Sequence, residues 1–144
     1  MKPLKPFEYF LKEGIAKKRS PDRERARSLI EESEGAYKFL LEITTKIGIS
    51  DSNSNYIVKN AYDIIMELIR AKMLASGYSA SGSHAHEAEV SYLRELGFPE
   101  PEVQFTNTLR YFRNGITYYG TRLDRNYAKM VIDFLEKILP KLKK

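Results

Sequence analysis

The stretch Leu109-Arg110-Tyr111-Phe112-Arg113-Asn114-Gly115-Ile116-Thr117-Tyr118-Tyr119-Gly120 packs two arginines, an asparagine, three tyrosines and two glycines into twelve residues. Phe105, Leu109, Phe112 and Ile116 are spaced four, three and four apart, which makes one helical stripe able to face a core. Arg113 and Asn114 fall just off that stripe. Gly115 weakens a helix by about 1 kcal/mol relative to alanine, and Gly120 can take the left-handed conformation that ends one, so the backbone is expected to loosen between them. Arg113 and Tyr118 are five residues apart, about 140° around a regular helix. They converge only if the helix unwinds at Gly115 or a second subunit supplies one of the pair. Together, a guanidinium, an amide and a phenol would bind phosphate and stack a base, which suits RNA or a nucleotide. Taken alone, the same residues also read as a solvated helix charge, a helix-ending asparagine and amphipathic cover for a core.

Helical patterns flank this stretch on both sides. After Gly120, Leu123, Tyr127, Met130, Val131, Phe134, Leu135 and Ile138 define an amphipathic helix that Pro140 is expected to stop. Before it, Phe98-Pro99-Glu100-Pro101-Glu102 is a rigid connection whose prolines and acids suit a helix start. Ser83 is expected to cap a helix running to Leu96 and closed by Gly97, and the preceding segment from Gly77 to Gly82 reads as a loop. From the polar segment Ser50–Asn55 to Ser76, apolar residues including Ile57, Val58, Ala61, Ile64, Ile65, Leu68, Ile69, Met73 and Leu74 cover a wide arc. Such an arc marks a helix packed on more than one side. Tyr62, Asp63 and Arg70 are its polar exceptions. Ser20-Pro21-Asp22 reads as a serine cap, a proline at the first helical position and an acid in the first turn, opening a helix that closes near Gly48. Lys5 to Ala16 offers a short helix with an uneven apolar face. No alternating, strand-like segment is evident. The expected fold class is all-α, an up-and-down helical bundle of four to five main helices with short loops. It forms a single domain over 1–144, with a core at about 20–140 and 1–19 as an N-terminal extension or short helix.

Composition narrows the function classes. At 144 residues and 42% hydrophobic content the chain suits one domain with a sizeable core. No run approaches the length of a membrane span, and Met1-Lys2-Pro3-Leu4-Lys5-Pro6 lacks the apolar segment of a secretory signal, so a soluble, cytoplasmic protein with no membrane partner is expected. The absence of cysteine removes disulfides, thiolate nucleophiles and zinc–thiolate sites together. With 24 Lys+Arg against 19 Asp+Glu, the net charge of +5 leans towards anionic partners. Part of the excess sits in Lys17-Lys18-Arg19 and in Lys141, Lys143 and Lys144, the kind of cluster that also serves simply to solubilise chain ends. His84 and His86 point to different faces of a helix, and there is no third histidine to complete a metal site, so neither a metal nor a cofactor is expected. His84 is expected to bond locally or to line a groove.

Several segments together resemble the HEPN domain family, in its archaeal branch. They are Asn60-Ala61-Tyr62-Asp63 in the long apolar helix, Ser83-His84 after the Gly77 loop, Leu93-Arg94-Glu95-Leu96-Gly97, and Arg113-Asn114-x-x-x-Tyr118. The similarity spans roughly residues 20 to 140. The family motif is an arginine, usually followed by a polar residue, and a histidine after a gap of four to six. Here Tyr118 occupies the histidine position under a four-residue gap, and Tyr119 under five. The apolar arc from Ile57 to Leu74 exceeds what one small bundle needs to bury, so a homodimer through that helix and the motif helix is expected. The resemblance implies Arg113, Asn114 and Tyr118 as the motif residues, and Tyr119, Asp63, Arg70, His84 and Arg110 as binding residues around them. It further implies one of two activities. The first is binding of RNA or nucleotide as the partner of a minimal nucleotidyltransferase in a toxin–antitoxin-type module, where a tyrosine near the motif can accept nucleotidyl groups. The second is a metal-independent endoribonuclease toxin, in which arginine and histidine activate the 2′-hydroxyl and stabilise the phosphate. A tyrosine leaves only about one part in a thousand ionised at neutral pH, so the motif keeps its phosphate binder and loses its best base. The expectation is therefore a binding protein with a degenerate catalytic motif.

Overall fold

The computed structural model describes residues 2–144. Its elements, in chain order, are α1 (Phe7–Lys12), β1 (Ala16–Lys18), α2 (Arg23–Lys46), α3 (Ser54–Ser76), β2 (Tyr78–Ala80), α4 (Ala85–Glu95), α5 (Glu100–Tyr119) and α6 (Arg125–Leu142). This is an all-α helical bundle built around α3. Ile57, Val58, Ala61, Ile64, Ile65, Leu68, Ile69 and Met73 of α3 are all buried, and α2, α4, α5 and α6 pack against it. The wide apolar arc read from the sequence is thus consumed inside one chain. Leu4, Phe7 and Phe10 join the same core, with Phe7 edge-on to Tyr78 and Tyr92 at 5.4 and 4.9 Å between ring centres. No helix among the described residues is long and apolar enough to cross a membrane.

Apart from the segment around Gly115, the structure departs from the sequence reading at four places. Two three-residue strands pair antiparallel, with Ala16 opposite Ala80 and Lys18 opposite Tyr78, where a helix end and a loop were expected. α2 begins after Asp22, whose carboxylate accepts the Arg25 N–H at 3.0 Å, so Ser20 is not the cap and Pro21 precedes the helix. The N-cap of α4 is His84 rather than Ser83, without a side-chain cap bond. Pro140 lies within α6, which runs on to the buried Leu142.

Around the stretch that opened the sequence, α5 is continuous to Tyr119. Gly120 takes a left-handed φ of 66°, and the N–H groups of Gly120 and Thr121 both return to the Gly115 carbonyl. Gly115 therefore does not unwind the helix. Its bare Cα makes room for the returning chain, since an added Cβ would lie 2.8 Å from Thr121 Oγ1. Asn55 at the start of α3 holds the α5–α6 connection, donating to the Thr121 carbonyl and accepting the Leu123 N–H, each at 2.8 Å. Arg125 adds a bond from its N–H to Asp51 Oδ1 at 2.8 Å, so the polar segment before α3 serves as a clamp on that loop.

Candidate functional site

The polar exceptions on α3 meet polar residues of α4 and α5 along one face of the bundle. Asp63 Oδ1 lies 3.4 Å from Arg113 Nε, with both side chains partly exposed. The orientation makes no hydrogen bond, and Arg113 Nε is buried without a partner. On α5, Arg110 Nε donates to Asn107 Oδ1 at 2.9 Å, while its Nη1 approaches Glu87 of α4 no nearer than 3.8 Å. His84 Nδ1 sits 3.1 Å from the same Glu87 carboxylate.

Deeper in the face, Arg70 grips Glu89 with two hydrogen bonds, Nε to Oε2 at 2.7 Å and Nη2 to Oε1 at 3.1 Å. His86 Nδ1 approaches Glu89 Oε1, the oxygen that Arg70 Nη2 also reaches, at 3.4 Å. Burial alone would push the Glu89 carboxyl up, but the His86 and Arg70 contacts outweigh it and hold the group below its ordinary value. Tyr62 is buried beside His86, with ring centres 6.3 Å apart, and its hydroxyl has no hydrogen-bond partner. Burial drives that phenol far above its usual value, only partly offset by Arg110, so it stays a neutral donor.

These distances divide the arginines. A bidentate contact with a buried carboxylate is a strong, fixed pair. Contacts of 3.4 and 3.8 Å between partly exposed groups are weak ones, which an incoming anion can replace. Arg110 and Arg113 are thus open to a ligand, and Arg70 is anchored. His84 lies next to Arg110 across Glu87, which places an imidazole at the edge of the face. Among the described residues no cluster of three or more histidine, aspartate or glutamate side chains is placed to hold a metal ion.

Of the residues singled out in the sequence, Asp63, Arg70, His84, Arg110 and Arg113 come together here. Asn114 is half-buried next to Arg113 on α5. Tyr118 and Tyr119 do not join them within one chain: they stand on the last turn of α5, 73% and 84% exposed. With α5 unbroken, Tyr118 projects about 140° around the axis from Arg113. Glu87, Glu89, His86 and Asn107 were not expected in the site. Glu89 carries a legible signal, being an acid flanked by Ala88 and Val90 at a position the helical period turns inward. Comparison with protein-family models, with curated proteins and with solved structures gives no match for this chain.

Proposed function

We propose that this chain is a HEPN-type protein that binds RNA or a nucleotide through the α3–α4–α5 face, as the partner of a minimal nucleotidyltransferase in a toxin–antitoxin-type module. The observation that carries this reading is Arg113: a guanidinium on a side chain 30% exposed, with only a long contact of 3.4 Å to Asp63, and Arg110 one turn away. A phosphate oxygen arriving there gains charge-assisted bonds that Asp63 does not make. Tyr118 and Tyr119 support the partnership, since phenols this exposed can be reached by another enzyme. Their nucleotidylation would join the phenol oxygen to the α-phosphorus of a nucleoside triphosphate and release pyrophosphate.

The test is Arg113→Ala. A charge-assisted phosphate contact is worth about 1.5–3 kcal/mol, so the variant should bind single-stranded RNA or nucleotide at least about tenfold more weakly with its circular dichroism unchanged. Equal binding would move the site elsewhere. For the partnership, a neighbouring reading frame should encode a small protein with Gly-Ser followed by paired aspartates, the metal-binding pattern nucleotidyltransferases require. A second reading, the endoribonuclease, is favoured by His84, which the fold brings to the same face as Arg110 and Arg113. It predicts chelator-resistant RNA cleavage that His84→Ala abolishes.

A further inference from the structure

Bordering the Arg70–Glu89 pair, a cavity of about 220 Å³ lies between the ribbon, the start of α2 and the second half of α3. Arginines from three segments line it: Arg19 from the β1–α2 connection, Arg25 from the first turn of α2, and Arg70 from α3. Gathering three guanidinium groups around one hollow costs repulsion, and the chain compensates only part of it. Arg70 is neutralised by Glu89. Arg19 reaches Asp22 only at 3.9 Å, and the Arg25 guanidinium has no acidic partner among the described residues.

The hollow is also fixed in shape. Arg19 N–H donates to the Gly77 carbonyl at 2.8 Å and Asp22 N–H to the Leu74 carbonyl at 2.9 Å, which stitches the segment carrying Arg19 to the end of α3. Gly77 permits this approach, because a Cβ there would lie 2.6 Å from the Arg19 carbonyl oxygen. Arg70 spends two of a guanidinium's five N–H groups on Glu89, leaving the others free in a side chain already held in place. Glu89 also lines the cavity, but Arg70 and His86 occupy its oxygens. Met73, Leu74 and Ala80 form an apolar wall that limits screening, and Ser79 adds a hydroxyl. The volume is well above the roughly 10–15 Å³ that admits a single water, which leaves room for one phosphate group.

We propose that this cavity is a phosphate-binding pocket in which Arg19 and Arg25 close on a phosphate group against the preorganised Arg70. A tetrahedral dianion, with more acceptor oxygens than a carboxylate, matches three converging guanidinium groups. The pocket stands on its own geometry. Only its assignment to the phosphate of an RNA strand, running from Arg113 past His86 and Glu89, rests on the proposed function.

Arginine Nε–H signals of ¹⁵N-labelled protein, titrated with inorganic phosphate and with sodium chloride at matched ionic strength, test it in the wild type and in Arg19→Gln/Arg25→Gln. Both substituted positions are exposed, so the fold is retained, and the untouched Arg70 signal is the reporter. The expected result is a saturating shift with phosphate alone, weakened at least about tenfold in the double variant. A shift that never saturates, that chloride reproduces, or that the double variant leaves unchanged overturns the pocket. A second arm uses a twelve-nucleotide single-stranded oligouridine. If the phosphate belongs to RNA, the double variant lowers the slope of log affinity against log salt by about 0.7 for each phosphate it no longer neutralises. An unchanged slope, or no RNA bound by the wild type, alongside an intact phosphate titration supports the pocket as a site for free or nucleotide phosphate and counts only against its assignment to RNA.

Discussion

Arg70 and Arg113 each face a carboxylate, yet the two pairs differ in what removing the arginine does. Glu89 is 3% exposed, so Arg70→Ala strands a buried charge and should cost about 3 kcal/mol. The pH dependence then weakens. In the wild type the Glu89 carboxyl is held low, so its contribution is complete above the unfolded value of about 4.3 and is lost as pH falls through the folded one. Without Arg70 only the His86 contact opposes burial, the folded value rises, and melts taken at falling pH should lose less stability than the wild type does. Arg113→Ala, whose partner Asp63 is half-exposed, should leave the melting temperature nearly unchanged and alter only binding. Glu67 gives the opposite case from Glu89. Burial, with Glu32 nearby, raises its carboxyl, and one oxygen is buried without a partner. Its ionisation opposes folding as pH rises above the unfolded value, so Glu67→Gln should raise the melting temperature at pH 7 and lose that advantage near pH 4. If the proposed HEPN-type reading holds, Tyr118→His supplies the histidine of that motif, and general acid–base catalysis contributes 10²–10⁴-fold, so ribonuclease activity in the presence of a chelator should rise by a factor of about that order. Failure of both proteins to cleave any RNA would leave the binding role alone.

At the scale of elements, Gly77 joins the end of α3 to the ribbon and to the phosphate pocket. Its φ is 87° and its Cα faces the Arg19 carbonyl, whereas Gly97 has a similar φ of 85° with open space around it. Gly97→Ala should therefore cost only the left-handed penalty of about 1–2 kcal/mol. Gly77→Ala adds a backbone collision and should cost clearly more in urea denaturation, as well as weakening phosphate binding at Arg70. The same contrast between local and distant causes explains what the sequence made legible. α3, α5 and α6 were readable because each repeats its apolar period over several turns. The ribbon was not, because three-residue strands are too short to show alternation, and Ala16 is buried by a partner sixty-four residues away. The start of α2 was misread because Ser20-Pro21 imitates a capped start, while the true boundary is set by bonds from Arg19 and Asp22 to Gly77 and Leu74. Pro140 was expected to end α6, but in the last turn of the helix it disturbs little, and the buried Leu142 and the Lys143 bond to Leu139 keep that turn helical. In the site, Asp63, Arg110 and Arg113 were visible as polar interruptions of apolar patterns. Glu89 was legible only as an acid at an inward-turned position; its pairing was not, because the arginine that lets it be buried lies nineteen positions earlier, on another helix.

For the whole molecule, the open question is how Tyr118 could ever meet Arg113, and it bears on oligomeric state. The sequence suggested a homodimer through α3 and α5, on the ground that the arc from Ile57 to Leu74 exceeds what one bundle buries. That ground is removed, since α2, α4, α5 and α6 cover the arc within the chain. Large apolar side chains are exposed singly elsewhere, among them Phe39, Ile47, Tyr56 and Met130, but on α5 Tyr111 and Tyr118 are seven residues apart and share a face, 54% and 73% exposed, with Tyr119 beside them. Clustered large apolar side chains at a surface mark association, and a two-fold axis there would carry the Tyr118 of one copy towards the site of the other. The unbroken helix leaves that as the only route to a composite Arg113–Tyr118 site. Light scattering at micromolar concentration should then give about twice the 16.7 kDa chain mass. Tyr111→Glu/Tyr118→Glu should return the monomer mass with unchanged circular dichroism, because both side chains lie outside the core. If the composite site is the binding site, that double variant should also lose the Arg113-dependent part of RNA affinity without any change at Arg113 itself. A wild type that is monomeric under the same conditions removes the composite site, and Arg113-dependent binding that survives in that monomer assigns the site to the α3–α4–α5 face of a single chain.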